Sequence, residues 1–143
     1  MHYVIYVSQA RKPMDPAALE ALLLQSRAWN SSQGLTGMLI YRYSPDADSG
    51  HFMQMLEGGE PEVRFIYDKI RRDKRHHTIL TLAEAEAEGR MFSDWAMGFK
   101  NVDDAFLAGL PGHARIGEAS FEPSAFQHSN AEALRLLKFF HDA

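Results

Sequence analysis

His51-Phe52-Met53-Gln54-Met55-Leu56-Glu57-Gly58 is the stretch on which the fold turns. As a strand it places Phe52, Gln54 and Leu56 on one face and Met53, Met55 and Glu57 on the other. Gln54 then shares a face with two large apolar side chains. A carboxamide carries two donors and two acceptor lone pairs, and each lost partner inside a fold costs roughly 1–3 kcal/mol. Either Gln54 has a polar partner within the fold, or its face is open to water. The strand alone leaves both readings standing.

Upstream, Gly34-Leu35-Thr36-Gly37 turns into Met38-Leu39-Ile40-Tyr41, a strand apolar on both faces and therefore expected at the centre of a sheet. The polar run from Tyr43 to Gly50 predicts an exposed hairpin loop between the two. Further back, Tyr3 to Ser8 is rich in β-branched and aromatic residues and predicts a first strand, with Val4, Tyr6 and Ser8 on one face. Asp15-Pro16 is a helix start, a capping acceptor followed by proline at the first position, and the helix runs from about Pro16 to Ser31. Leu19, Leu23, Ser26 and Asn30 form one stripe on it. The polar end of that stripe either frays into water or points at something polar held against the sheet.

Downstream, Gly58-Gly59 ends the strand, and a second helix begins near Pro61 with Val63, Ile66, Tyr67 and Ile70 inward. Its end, Arg71 to His77, is basic. The helix dipole favours solvated cations there, and a phosphate or polar ring contact from Arg75 or His76 is the sharper alternative. His76 and His77 cannot easily face one metal from a regular element, and no carboxylate sits at ligand spacing, so no metal site is expected. Thr78 to Leu82, extending towards Ala87, predicts a fourth strand, and Arg90 to Phe99 a turn and a short fifth one. The order β-α-β-β-α-β-β predicts an α+β, ferredoxin-like sandwich, with two helices on one face of a mixed sheet.

Composition bounds the function. With 143 residues, 45% hydrophobic and 24% charged, the chain can bury a real core as one soluble domain with a tail. The absence of cysteine excludes disulfides, zinc-thiolate sites and cysteine catalysis. No apolar run approaches the roughly 20 residues of a membrane span, and the first residues lack a signal-peptide layout, so a cytoplasmic location and no membrane partner are expected. A net charge of −4 argues against nucleic acid as a partner. Glu84, Glu86 and Glu88 alternate along one strand face and predict a solvated surface.

Five landmarks in order carry a family resemblance: Tyr6-x-Ser8; Asn30 with Gly34-Leu35-Thr36-Gly37; Phe52-x-Gln54-x-Leu56-Glu57-Gly58; Asp73-x-Arg75-His76; and Phe92-x-x-Trp95-x-Met97. Together they resemble a BLUF domain, a blue-light sensor that binds a flavin without a covalent bond. The resemblance spans about 1–100, with only the loop around Pro45 to Gly50 enlarged. It implies that the flavin lies between the two helices against the sheet. FAD is the implied cofactor, with FMN or riboflavin as alternatives. Cofactor contacts are implied for Tyr6, Ser26, Asn30, Gln54, Arg75 and His76, and a photoactive switch made of Tyr6, Gln54, Trp95 and Met97. Gln54, bridging Tyr6 and the flavin, would relay a proton from the light-oxidised phenol and change its donor–acceptor pattern.

One position departs from the family's habit. Trp29 stands where a smaller polar or imidazole side chain is common; it either covers the flavin edge or donates electrons competitively. Residues 101–143 carry none of the family's landmarks and predict a helical extension, with a short helix after Val102 and another from about Ser129 to His141. Forty-three residues are too few for a catalytic output domain, so the expectation is a non-enzymatic photoreceptor. It would signal through this extension to a partner protein, as a homo-oligomer. The rival reading is a flavin-free ferredoxin-like binding module, and colour separates the two.

Overall fold

A computed structural model of the chain describes residues 1–45, 48–93, 96–102 and 137. Seven elements follow in order: β1 (His2–Ala10), α1 (Pro16–Gln33), β2 (Thr36–Ser44), β3 (Ser49–Gly58), α2 (Glu60–Arg71), β4 (His76–Glu86) and β5 (Gly98–Asn101). The five strands form one sheet in the order β4-β1-β3-β2-β5. Every neighbouring pair is antiparallel except β2 and β5, which run parallel, so the sheet is mixed. This is the ferredoxin-like α+β arrangement, both helices packing on one face.

Local chemistry sets the helix ends. The Asp15 carboxylate accepts the Ala18 N–H at 2.8 Å, and Pro16 supplies a pre-set φ at the first position. Gly34 stops α1 in the left-handed region (φ 68°), a conformation that costs glycine nothing. Helix α2 has Glu60 and Glu62 in its first turn and Lys69 and Arg71 in its last, each sign matched to the nearer end of the dipole.

Alternation divides the core. Val4, Tyr6, Leu39, Phe52 and Leu56 meet Leu19 and Leu23 of α1 and Val63, Ile66, Tyr67 and Ile70 of α2. Ile5, Val7, Met38, Ile40, Met53 and Met55 pack on the opposite face with Phe92, Val102 and Leu137. As expected from its apolar faces, β2 is an interior strand, between β3 and β5, with Leu39 and Tyr41 in the helix-side core and Met38 and Ile40 in the opposite one. Two expectations need correcting. The hairpin loop is shorter than the polar residues suggested. Backbone pairing continues through Tyr43↔Gly50 and Ser44↔Ser49, because ladder hydrogen bonds do not depend on side-chain polarity. Finally, the fifth strand begins only at Gly98, and the Met91 and Phe92 N–H groups ahead of it are bonded to Glu57 rather than to a strand.

The helices expected beyond Val102 lie outside the described residues, save Leu137, which is helical and fully buried against the sheet. Among the described residues no helix is long and apolar enough to cross a membrane.

Candidate functional site

The site follows from register. Tyr6 and Gln54 are directly opposite one another on the adjacent antiparallel strands β1 and β3, so their side chains share the helix-facing side. Both are buried, each 3% exposed. The Tyr6 hydroxyl donates to Gln54 Oε1, and Gln54 Nε2 donates to Met97 Sδ at 3.5 Å. The carboxamide on the apolar face therefore has its polar partner, and the water-facing reading of that strand face falls away. Burial, then the neighbouring Tyr67 and Asp73, push the Tyr6 phenol well above its ordinary pKa. In the ground state Tyr6 is a neutral donor.

Helix α1 brings its polar end to the same place. Asn30 is buried and donates Nδ2–H to the Ala96 carbonyl at 2.6 Å, while Arg27 Nε donates to the Met97 carbonyl at 3.1 Å. Ser26 and Trp29 border a cleft between the helices, together with Leu22, Leu39, Phe52 and Ile70, while Tyr6 and Gln54 form its floor. The Lys69 ammonium stands 5.4 Å from the Trp29 ring centroid, a cation–π contact across the helix pair. Asn30, Ser26, Gln54 and Tyr6 thus meet at one end of the fold. Asn30 is held on the chain segment leading into β5, whereas the other three line the cleft.

Asp73, Arg75 and His76 line the same cleft, the His76 ring 6.1 Å from that of Tyr6. The Arg75 guanidinium engages both Asp73 carboxylate oxygens and donates to Gln25 Oε1. Burial raises the Asp73 pKa, but the hydrogen bonds and charge of Arg75, with a smaller contribution from His76, outweigh it and hold the carboxyl below its ordinary range. His76 has both ring nitrogens occupied. Nε2 lies 2.5 Å from the Ile70 carbonyl and Nδ1 2.7 Å from Ser8 Oγ. A carbonyl only accepts, so Nε2 carries the proton and Nδ1 accepts from the serine. Burial holds this imidazole below its ordinary pKa. It is a neutral wall of the cleft.

Trp95 lies outside the described residues. Three contacts were not anticipated from the sequence. Tyr67 stacks on Tyr6 with ring centroids 5.4 Å apart and bonds Thr81 Oγ1 at 2.5 Å. Ser8 orients His76. Glu57, 1% exposed, accepts the Met91 and Phe92 N–H groups at 2.6 and 2.9 Å and the Thr36 hydroxyl at 3.2 Å. Its position on an apolar face beside Met53 and Met55 was the available signal.

The cleft is lined by apolar side chains together with the polar or charged Tyr6, Ser26, Gln54, Asp73, Arg75 and His76. Fold and cleft thus define a small α+β module with a cleft beside a buried tyrosine–glutamine pair. The comparisons give the family. The model of the BLUF family, "Sensors of blue-light using FAD", matches residues 1–98. Photoactivated adenylate cyclase subunit beta of Euglena gracilis is 33% identical over 107 residues, 74% of this chain and 12% of that protein. The blue light- and temperature-regulated antirepressor BluF of Escherichia coli (strain K12) is 32% identical over 94 residues, 66% of this chain and 22% of that one. Among solved structures, the dark state of the BLUF protein BlrB matches with a TM-score of 0.66 and 27% identity, covering 93% of this chain and 96% of that one. The chain belongs to the BLUF family of blue-light flavin sensors. Its matched segment spans only about a tenth of the cyclase relatives' length.

Proposed function

We propose that the protein is a blue-light receptor in which Tyr6 and Gln54 convert light absorption into a changed hydrogen-bond pattern, passed to a partner protein through Met97, Trp95 and residues 101–143. Residues 1–100 act as the sensory domain and 101–143 as the signalling extension of a homo-oligomer, and the chain acts as a sensor rather than an enzyme. The observation that carries this reading is the continuous chain from the Tyr6 hydroxyl through the Gln54 carboxamide to Met97.

Ser26, Asn30, Gln54, Arg75 and His76 would hold the flavin, with Tyr6 beneath it. When bound, the flavin supplies blue-light absorption and, once excited, a strong oxidant. Tyr6 is the side chain that gives up an electron. A phenol with an ordinary pKa of about 10 becomes acidic on oxidation, so its proton leaves along the bond it already makes to Gln54 Oε1. Gln54 then rotates or changes tautomer, and the Nε2 contact to Met97 is exchanged for another. Asn30 and Arg27, which hold the carbonyls of Ala96 and Met97, transmit that change into the segment entering β5. The bistable element is a few hydrogen bonds, local and small.

The test is spectroscopic. Gln54→Leu and Tyr6→Phe should retain bound flavin and lose the reversible light-induced red shift of its absorption. Either variant keeping the parental shift would refute the assignment.

A further inference from the structure

At the start of β1, away from the cleft, the fold gathers a second polar cluster. His2 pairs with Glu86 on β4 and with Gly58 on β3, and α2 begins just beyond Gly58, at Glu60. Glu84 lies opposite Val4, so by alternation His2, Glu84 and Glu86 share the face on which α2 packs. The ligand-capable atoms of His2, Glu60 and Glu86 lie within 4.8 Å of one another. His2 and Glu86 are 84 positions apart in the chain, which hides the cluster from any local motif.

The His2 ring is the unusual member. It is 5% exposed, and carboxylates face both of its nitrogens. Nδ1 lies 2.8 Å from Glu86 Oε1; a carboxylate only accepts, so Nδ1 carries the proton. Nε2 is buried and has no hydrogen-bond partner among the described residues, and Glu84 Oε1 stands 3.4 Å from it. A neutral ring with its proton on Nδ1 turns a lone pair towards that oxygen. Two buried-side acceptors facing one another are unfavourable unless a cation stands between them. Two ligands roughly 2.0–2.1 Å from a tetrahedral zinc ion are roughly 3.3–3.4 Å apart, which matches the Nε2–Oε1 separation. Glu86 on Nδ1 is the carboxylate partner that metal-bound histidines commonly have, fixing the tautomer and the direction of the ring.

The cover over Nε2 is movable. Arg64 pairs with Glu60 at 2.9 Å and with Glu84 at 3.4 Å, and the Met1 amine with Glu86 at 3.3 Å. The Arg64 side chain is 63% exposed, and an exposed pair of this kind is weak enough to give way to an ion.

We infer that this cluster binds a divalent cation of the zinc class, held by His2 Nε2 and the Glu84 carboxylate, closed by Glu60 and oriented by Glu86. The ion ties the first turn of α2 to β1 and β4. The site is separate from the cleft, so its test does not depend on the flavin.

The experiment titrates Zn²⁺ calorimetrically into the untagged full chain after chelator treatment. One ion per chain should bind, and the melting temperature should rise with added zinc and return with excess chelator. His2→Gln and Glu84→Gln should each weaken binding at least about tenfold, since even the loss of an outer partner of a metal ligand costs that much. His77→Gln removes a histidine outside the cluster and should bind zinc as the parent does. Circular dichroism matching the parent's shows that each variant folds. No saturable one-to-one binding, or equal affinity in the parent and His2→Gln, would overturn the site and leave a second ring proton as the charge on Nε2. Parental affinity in Glu84→Gln would overturn the placement of the ion. Binding lost in His77→Gln would show adventitious histidine binding only.

Discussion

Tyr6 shows how much one register pairing decides. Strand parity grouped Tyr6 with Val4 and Ser8, and Gln54 with Phe52 and Leu56; the pairing makes Tyr6 and Gln54 direct neighbours on one face. Removing the phenol by Tyr6→Phe leaves Gln54 Oε1 without its donor, and urea unfolding should report a loss of about 1–3 kcal/mol. His76 gives a pH prediction. Burial lowers its folded pKa, opposed by the Ile70 carbonyl and Asp73 and assisted by Arg75 and His77. The unfolded chain therefore takes up the proton first. The stability from this group is fully present above the ordinary value of 6.5 and is lost as pH falls from there through the folded pKa. Melting temperature measured from pH 8 to 5 should fall more steeply for the parent than for His76→Gln; parallel curves would show that His76 does not contribute. The Ser8–His76 contact was not legible in the sequence. It depends on the β1–β4 register, which shifts between Val7 and Gln9 in a way that no local pattern encodes.

At the scale of elements, periodicity was enough to order the strands and helices, and capping chemistry fixed the start of α1. Boundaries were less legible where pairing runs on through polar residues, as at Tyr43 and Ser44. The approach to β5 was illegible for a different reason. Its anchor is the long-range contact of Glu57 with the Met91 and Phe92 N–H groups, reinforced by Arg90, which donates to Thr36 Oγ1 and to the carbonyls of Glu57 and Gly34. Glu57→Ala should cost about 1–3 kcal/mol for each N–H left without a partner, read by chemical denaturation. Unchanged stability would mean that this clasp holds nothing. Gly37→Ala is a sharper test of the β2–β3 approach. An added Cβ would stand 2.1 Å from the Met55 carbonyl oxygen, a backbone atom, so the hairpin must separate, and the melting temperature should drop.

Taken whole, the molecule has two buried sheet faces with different tasks. One holds the helices and the cleft; the other is covered in part by Phe92, Val102 and Leu137. The sequence already implied that the apolar stripe of the extension must bury somewhere, and Leu137 is fully buried on the face opposite the cleft. Leu137→Ala should destabilise by about 2–5 kcal/mol, measured by denaturant unfolding. Met53 and Met55 reach that face from the strand that carries Gln54, so β3 touches both the proposed switch and the side where Leu137 packs. The most direct measurement of the account is the absorption spectrum of the flavin-loaded full chain before, during and after blue illumination. The account predicts a small red shift that reverses in the dark and is absent in Gln54→Leu. A protein that takes up no flavin, or a shift that survives loss of the Gln54 carboxamide, would contradict it.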